Sequence, residues 1–160
     1  MKFRFYQLYY LAAVVLLIVA MCGSVLSVVA PSGATYIINN FSLLKPDATV
    51  SYSVVALGVV LVVATVVNLF GLLVSLFSNF ELQKRTSILS MLLITGYYIL
   101  LSVYVLIVIN SDDTLTTLNM ESGGVLYPFT ALVLNFMAFL AARRTEAQIL
   151  AKASGFRLRD

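Results

Sequence analysis

Four runs without a single Asp, Glu, Lys, Arg or His leave this chain few ways to fold: Leu8 to Ala30, Tyr52 to Phe77, Ile88 to Ile109 and Val125 to Ala142. A helix crosses a hydrocarbon core of roughly 30 Å with about 20 residues, and each run is long enough to do so. The expected fold class is therefore an all-α membrane protein, a four-helix transmembrane bundle in one domain, 1–160. A soluble globule is excluded by the 61% hydrophobic and 11% charged content and a mean hydropathy of +1.01, which leave too little polar surface to coat it.

The charges lie at the span ends and set an expected orientation. Lys2, Arg4, Lys84, Arg85, Arg143, Arg144, Lys152, Arg157 and Arg159 fall on the face that holds both termini and the middle connection, whereas Lys45 falls on the other. Such a bias places both termini in the cytoplasm. Lys84, Arg85, Arg143, Arg144, Arg157 and Arg159 read as topology determinants and headgroup anchors. The tail 143–160 continues the fourth helix and ends near Gly155, a residue suited to a helix C-terminus. A rival reading takes the first span as a cleaved signal, with Val19-Ala20-Met21-Cys22 as a weak processing box. Bulky Met21 and the apolar residues that continue beyond Cys22 favour the uncleaved span.

The spans lack the charged and histidine side chains that usually carry ion pathways, proton relays and redox centres in a membrane. Cys22 is the single cysteine and there is no histidine, so a disulfide relay, haem and zinc lack their usual ligands, and no cofactor or metal is expected. The informative intramembrane residues are Asn68 and Asn135. Counted from the inner ends of spans two and four they lie at matching depth, and on span three that depth falls near Gly96, Tyr97 and Tyr98. Amides facing lipid cost several kcal/mol, so Asn68 and Asn135 should point inward. They serve either as interhelical glue or, with Tyr97, as a polar contact for a ligand.

Small residues four apart, Gly23 with Ser27, Gly71 with Ser75 and Ala138 with Ala142, offer close helix contacts. Phe3, Phe5, Tyr6, Tyr9 and Tyr10 fit an interfacial aromatic belt. Outside the spans, Thr35-Tyr36-Ile37-Ile38 and the stretch Leu115 to Met120 carry strand signals. They can pair as a small extracytoplasmic β element, the alternative being two irregular loops. Asn40-Phe41-Ser42 matches an N-glycosylation sequon, and Asp113-Thr114-Leu115 a short O-glycosylation pattern.

Three inner-face segments carry a family resemblance: Arg4 with Leu8-Tyr9, then Asn79-Phe80-Glu81-Leu82-Gln83-Lys84-Arg85, and Leu140-Ala141 with Arg143 followed by Arg157-Leu158-Arg159. The middle segment fits a pattern of Asn, two variable positions, Leu-Gln, one variable position and Arg. The chain resembles an uncharacterised four-span bacterial inner-membrane family, a domain of unknown function found chiefly in the Bacteroidetes. Gln7 sits one place late, and Phe156 stands where the family usually has Asp. The resemblance implies a multi-pass protein of the bacterial inner membrane and supplies no activity.

Of the function classes that fit, a small non-catalytic accessory, scaffold or assembly subunit of a larger membrane complex stands first. Its partners would be membrane lipids and other membrane protein subunits. The alternative is a carrier or binder of a lipid or small apolar ligand between the spans. Enzymatic activity is not expected, because the acids Asp47, Asp112, Asp113 and Glu121 show no spacing to a base or hydroxyl. Nucleic acid is not expected either, since the basic tail also carries Glu146 and Asp160.

Overall fold

The computed structural model describes residues 5–29, 35–44, 50–77, 79–111, 117–119 and 124–157. Along the chain run α1 (Phe5–Cys22), β1 (Ser24–Val29), β2 (Thr35–Asn39), β3 (Ser42–Leu44), β4 (Val50–Ser53), α2 (Val55–Leu76), α3 (Phe80–Ser111), β5 (Thr117–Asn119) and α4 (Leu126–Arg157). The helices form an up-and-down bundle in which α1 packs on α2 and α4, and α3 packs on the same two. The strands gather at one end, the sheet end. The α2–α3 turn, the start of α1 and the close of α4 mark the other, the turn end.

Helices α2, α3 and α4 are long and apolar enough to cross a membrane. Helix α1 is apolar but shorter, with 18 residues, or about 27 Å of rise. The run Leu8 to Ala30 is thus not one helix. After Gly23 it becomes strand β1, whose Val25, Val28 and Val29 favour the extended backbone. Hydropathy sees one apolar run in either case, since a buried strand is as greasy as a buried helix.

The strands form one antiparallel sheet in the order β4-β3-β2-β1-β5. β2 and β5 do not pair with each other, as direct pairing of the two outer segments would require. β1 lies between them, with Leu26 opposite Ile38 and Val28 opposite Leu118. An irregularity in the register between Ser24 and Leu26 lets both Val25 and Leu26 face the interior. Val25, Leu26 and Ile38 join Leu17, Val54, Leu57 and Leu101 in one buried cluster, so the sheet is the lid of the bundle. Burial of each of these sheet side chains from water contributes about 1.5–3 kcal/mol.

The uncharged runs leave residues 78–87 as the connection between spans two and three, but α2 ends at Leu76 and α3 already begins at Phe80. Asn79 caps α3: its side-chain oxygen accepts the backbone N–H of Leu82 at 3.2 Å, and Glu81 lies in the first turn, where the helix dipole favours an acid. Helix α3 therefore starts two turns earlier than its uncharged run, and α4 runs on through the basic segment Arg143-Arg144 without a break.

The bundle interior is built on seams with alternating steps of four and three residues. They are Leu57, Leu61, Ala64, Asn68, Gly71 and Ser75 on α2; Gln83, Ser87, Ser90, Ile94, Tyr97 and Leu101 on α3; Ala131, Asn135, Ala138 and Ala142 on α4; and Tyr10, Ala13, Leu17 and Ala20 on α1. This is the repeat of knobs-into-holes packing. The outward positions, among them Val66, Phe70, Leu92, Ile99 and Leu106, are large, apolar and exposed, as suits a lipid-facing surface.

Candidate functional site

The seams divide the interior into two halves. Toward the sheet they carry Leu17, Leu57, Leu61, Ile94 and Leu101, and toward the turn they carry Asn68, Ser75, Gln83, Ser87, Ser90 and Asn135. The polar half is the candidate site.

At its outer edge Tyr10 of α1 spans the bundle. Its ring lies against Gly71 of α2, where an added Cβ would sit 2.7 Å from a ring carbon. Its hydroxyl donates to the backbone carbonyl of Gln83 on α3 at 2.9 Å and shares a hydrogen bond with Ser87. Tyr10 is therefore an interior cross-brace and not a member of the interfacial belt. Beside it, Gln7 donates to the Ser75 carbonyl at 3.4 Å. Gly71 and Ser75 do mark a close approach, but what they admit is the Tyr10 ring. Ala138 and Ala142 are buried, as expected of a contact pair, while Gly23 and Ser27 are separated by the end of α1.

One level deeper, the Asn68 amide donates to the Ala64 carbonyl at 2.8 Å and to the Ser90 hydroxyl at 2.6 Å. Asn135 donates to the Ala131 carbonyl at 2.9 Å. Both asparagines are fully buried, so each faces the interior as expected. The ion pair between Lys84 and Glu146 and the bond from Tyr98 to the Val125 carbonyl fix the antiparallel register of α3 and α4. Between them these ties set Ser90 opposite about residues 133–140 of α4, the stretch that contains Asn135. Asn68, Ser90 and Asn135 thus share a level.

Tyr97 does not join them. Its hydroxyl donates to the Asn40 side-chain oxygen at 2.9 Å, and the Asn40 amide donates to the Ala20 carbonyl at 2.7 Å near the end of α1. It lies two turns nearer the sheet than Ser90, about 10 Å along α3. The expected depth match fails because α3 begins at Phe80, which shifts the residue facing Asn68 from Tyr97 to Ser90. With α3 begun at the Asn79 cap, the stripe Gln83, Ser87, Ser90 would have shown itself. Asn40 is 1% exposed and its amide is engaged on both sides, so the sequon Asn40-Phe41-Ser42 has no free acceptor in the folded chain.

Of the headgroup anchors, Arg143 and Arg144 are exposed on α4, and Arg157 falls in its last turn. Lys84 instead ties α3 to α4 through Glu146 at 2.7 Å, and Arg85 pairs with Glu81 one turn before it at 2.7 Å. Arg159, Lys45, Asp47, Asp112, Asp113 and Glu121 lie outside the described residues, as does Asp113-Thr114-Leu115. Among the described residues no group of three His, Cys, Asp or Glu is placed to hold a metal ion.

Beyond the bundle, α4 continues past the level of Glu146. Residues 147–152 are exposed all round, and among them Ile149 and Leu150 are 45% and 64% exposed.

Residues 4–151 match the family described as a domain of unknown function, DUF4293. No curated protein and no solved structure matches the chain.

Proposed function

The chain belongs to the DUF4293 family, and from that premise we propose that it is a small non-catalytic accessory or scaffold subunit of a larger complex in a bacterial inner membrane. All four helices span in this reading. The turn end, which carries Lys84, Arg85, Arg143, Arg144, Lys152 and Arg157, faces the cytoplasm, where basic residues collect.

The observation that carries the proposal is the uncovered end of α4. A helix that emerges from its bundle with Ile149 and Leu150 side by side leaves these apolar side chains exposed among the described residues. A neighbouring subunit would cover them, with Arg144 and Lys152 able to meet acids at its rim. The interior favours a structural role too. Two of its polar contacts lock helix to helix: the Tyr10 hydroxyl donates to the Gln83 carbonyl and the Asn68 amide to the Ser90 hydroxyl. The carrier reading loses the hydroxyl it relied on, because Tyr97 is committed to Asn40.

Mild extraction from the native membrane, followed by mass spectrometry, tests the proposal. The expected result is a stoichiometric protein partner that is lost from a Leu150→Glu variant which still inserts and folds. A protein that leaves the membrane alone, or with only a specific lipid, contradicts it.

A further inference from the structure

The polar half of the bundle is not self-sufficient. Among the described residues, four buried side-chain atoms have no hydrogen-bond partner: Oδ1 of Asn68, Oδ1 of Asn135, and both Oε1 and Nε2 of Gln83. All three side chains are fully buried. An amide left unpaired in so dry a place costs about 1–3 kcal/mol. Two such acceptors at the level of Asn68 and Asn135, and an amide two turns away at Gln83, mark places that the protein's own groups do not complete.

The chemistry of the unmet atoms narrows the occupant. The Gln83 amide, two turns nearer the turn end, lacks both a donor and an acceptor; at the asparagine level both unmet atoms are acceptors, so the missing group there must donate two hydrogen bonds. It must also be small. The seam positions around it are Gly71, Ser75, Ser87, Ser90, Ala138 and Ala142, and the Tyr10 ring takes up much of the room they leave. It must be neutral as well, because helices α1 to α4 present no acid at this depth and an unpaired ion in a low-dielectric interior is far costlier than a polar molecule. Water meets all three requirements, and buried water characteristically makes about three hydrogen bonds to otherwise unsatisfied groups.

We propose that the layer between α2, α3 and α4 is an internal water site, in which water donates to Oδ1 of Asn68 and to Oδ1 of Asn135 and so joins α2 to α4 across the bundle. Among the described residues the two asparagines do not bond each other, since neither Oδ1 accepts a hydrogen bond and the Asn68 amide donates to Ala64 and Ser90. A second water serves the Gln83 amide, two turns nearer the turn end. The fold is thus a bundle whose diagonal ties are protein-made at Tyr10 and solvent-made at the asparagines.

The test is a double-mutant cycle in lipid discs with Asn68→Leu, Asn135→Leu and the pair. Thermal midpoints are read in sodium, ammonium and choline chloride. A shared water predicts that each single change lowers the midpoint by about 3 °C, that the pair loses less than the sum, and that the salt makes no difference. Asn135→Leu is the sharper probe, because it breaks no bond to another helix. A higher midpoint for Asn135→Leu means a dry, strained amide and overturns the proposal. Additive losses overturn the shared occupant, and a midpoint that depends on the cation replaces water by an ion. Should the variants fail to insert, an experimental map of the unaltered protein decides: a peak about 2.6–3.2 Å from both Oδ1 atoms is expected, and direct amide contact or empty density contradicts it.

Discussion

The phenol of Tyr10 reaches across the bundle to the backbone carbonyl of Gln83 at 2.9 Å, joining the first helix to the third over a glycine of the second. Neither residue looks special alone. Tyr10 lies in a cluster of aromatics at a span end, and Gln83 in a charged segment, yet the contact sets how α1, α2 and α3 are spaced at the turn end.

Gly71→Ala should break that spacing. The new Cβ would fall 2.7 Å from the Tyr10 ring, and relief requires the ring to leave or the helices to part, at about 1–3 kcal/mol. Chemical unfolding in mild detergent checks the loss. Gly71→Ala combined with Tyr10→Ala should recover part of it.

Tyr10→Phe keeps the ring and removes the hydroxyl. The Gln83 carbonyl and Ser87 then lose a partner in a buried place, which costs about 1–3 kcal/mol by soluble-protein experience and nearer 1 kcal/mol within a membrane. The same unfolding measurement should therefore rank Tyr10→Phe as milder than Gly71→Ala. The reverse ranking would mean that the hydrogen bonds outweigh the close packing.

Gly124 abuts β1 so tightly that a Cβ would come within 2.6 Å of the Val25 Cα. Backbone against backbone has no rotamer to yield, so Gly124→Ala should destabilise the lid by about 3 kcal/mol. Limited proteolysis from the sheet end should then cut faster than in the unaltered protein, whereas an unchanged pattern would show that β1 can shift.

Asn40 holds the hairpin between β2 and β3 onto Tyr97 and the last turn of α1. Asn40→Ala leaves the Tyr97 hydroxyl and the Ala20 carbonyl unpaired, at about 1–3 kcal/mol each. Because the folded chain occupies the Asn40 amide, expression in a glycosylating host should add no N-linked glycan there. A glycosidase-sensitive mass shift at Asn40 would show that the hairpin is open when it is made.

The Lys84–Glu146 pair, with side chains 25% and 32% exposed, should contribute little, about 0.2–1 kcal/mol. A double-mutant cycle at low salt should find that coupling, and at 1 M salt, where the screening length is about 3 Å, it should nearly vanish.

How much the chain declared in advance differs from segment to segment. The helical bundle was legible because a long uncharged run is most economically helical in lipid, where backbone groups must be satisfied within the segment. The β1 strand was not, since Ser24 to Val29 is as apolar as the helix before it; Gly23 and the valines after it were the available sign. The inward aim of Asn68 and Asn135 was readable from the cost of an amide in lipid. Depth counted from the uncharged runs puts Tyr97 rather than Ser90 opposite Asn68, two turns off, because α3 begins before its uncharged run, at a start that Asn79 and Glu81 announce. Tyr10 shows a further limit: composition cannot tell an aromatic at a membrane boundary from one that faces a glycine inside.

The proposed role makes the exposed end of α4 a docking surface for another membrane subunit. A photo-crosslinking residue at Leu150, activated in living cells and compared with one at the buried Ala138, tests it directly. One discrete protein adduct from position 150 and none from position 138 is the expected result. No adduct at position 150, or only lipid adducts there, would contradict it.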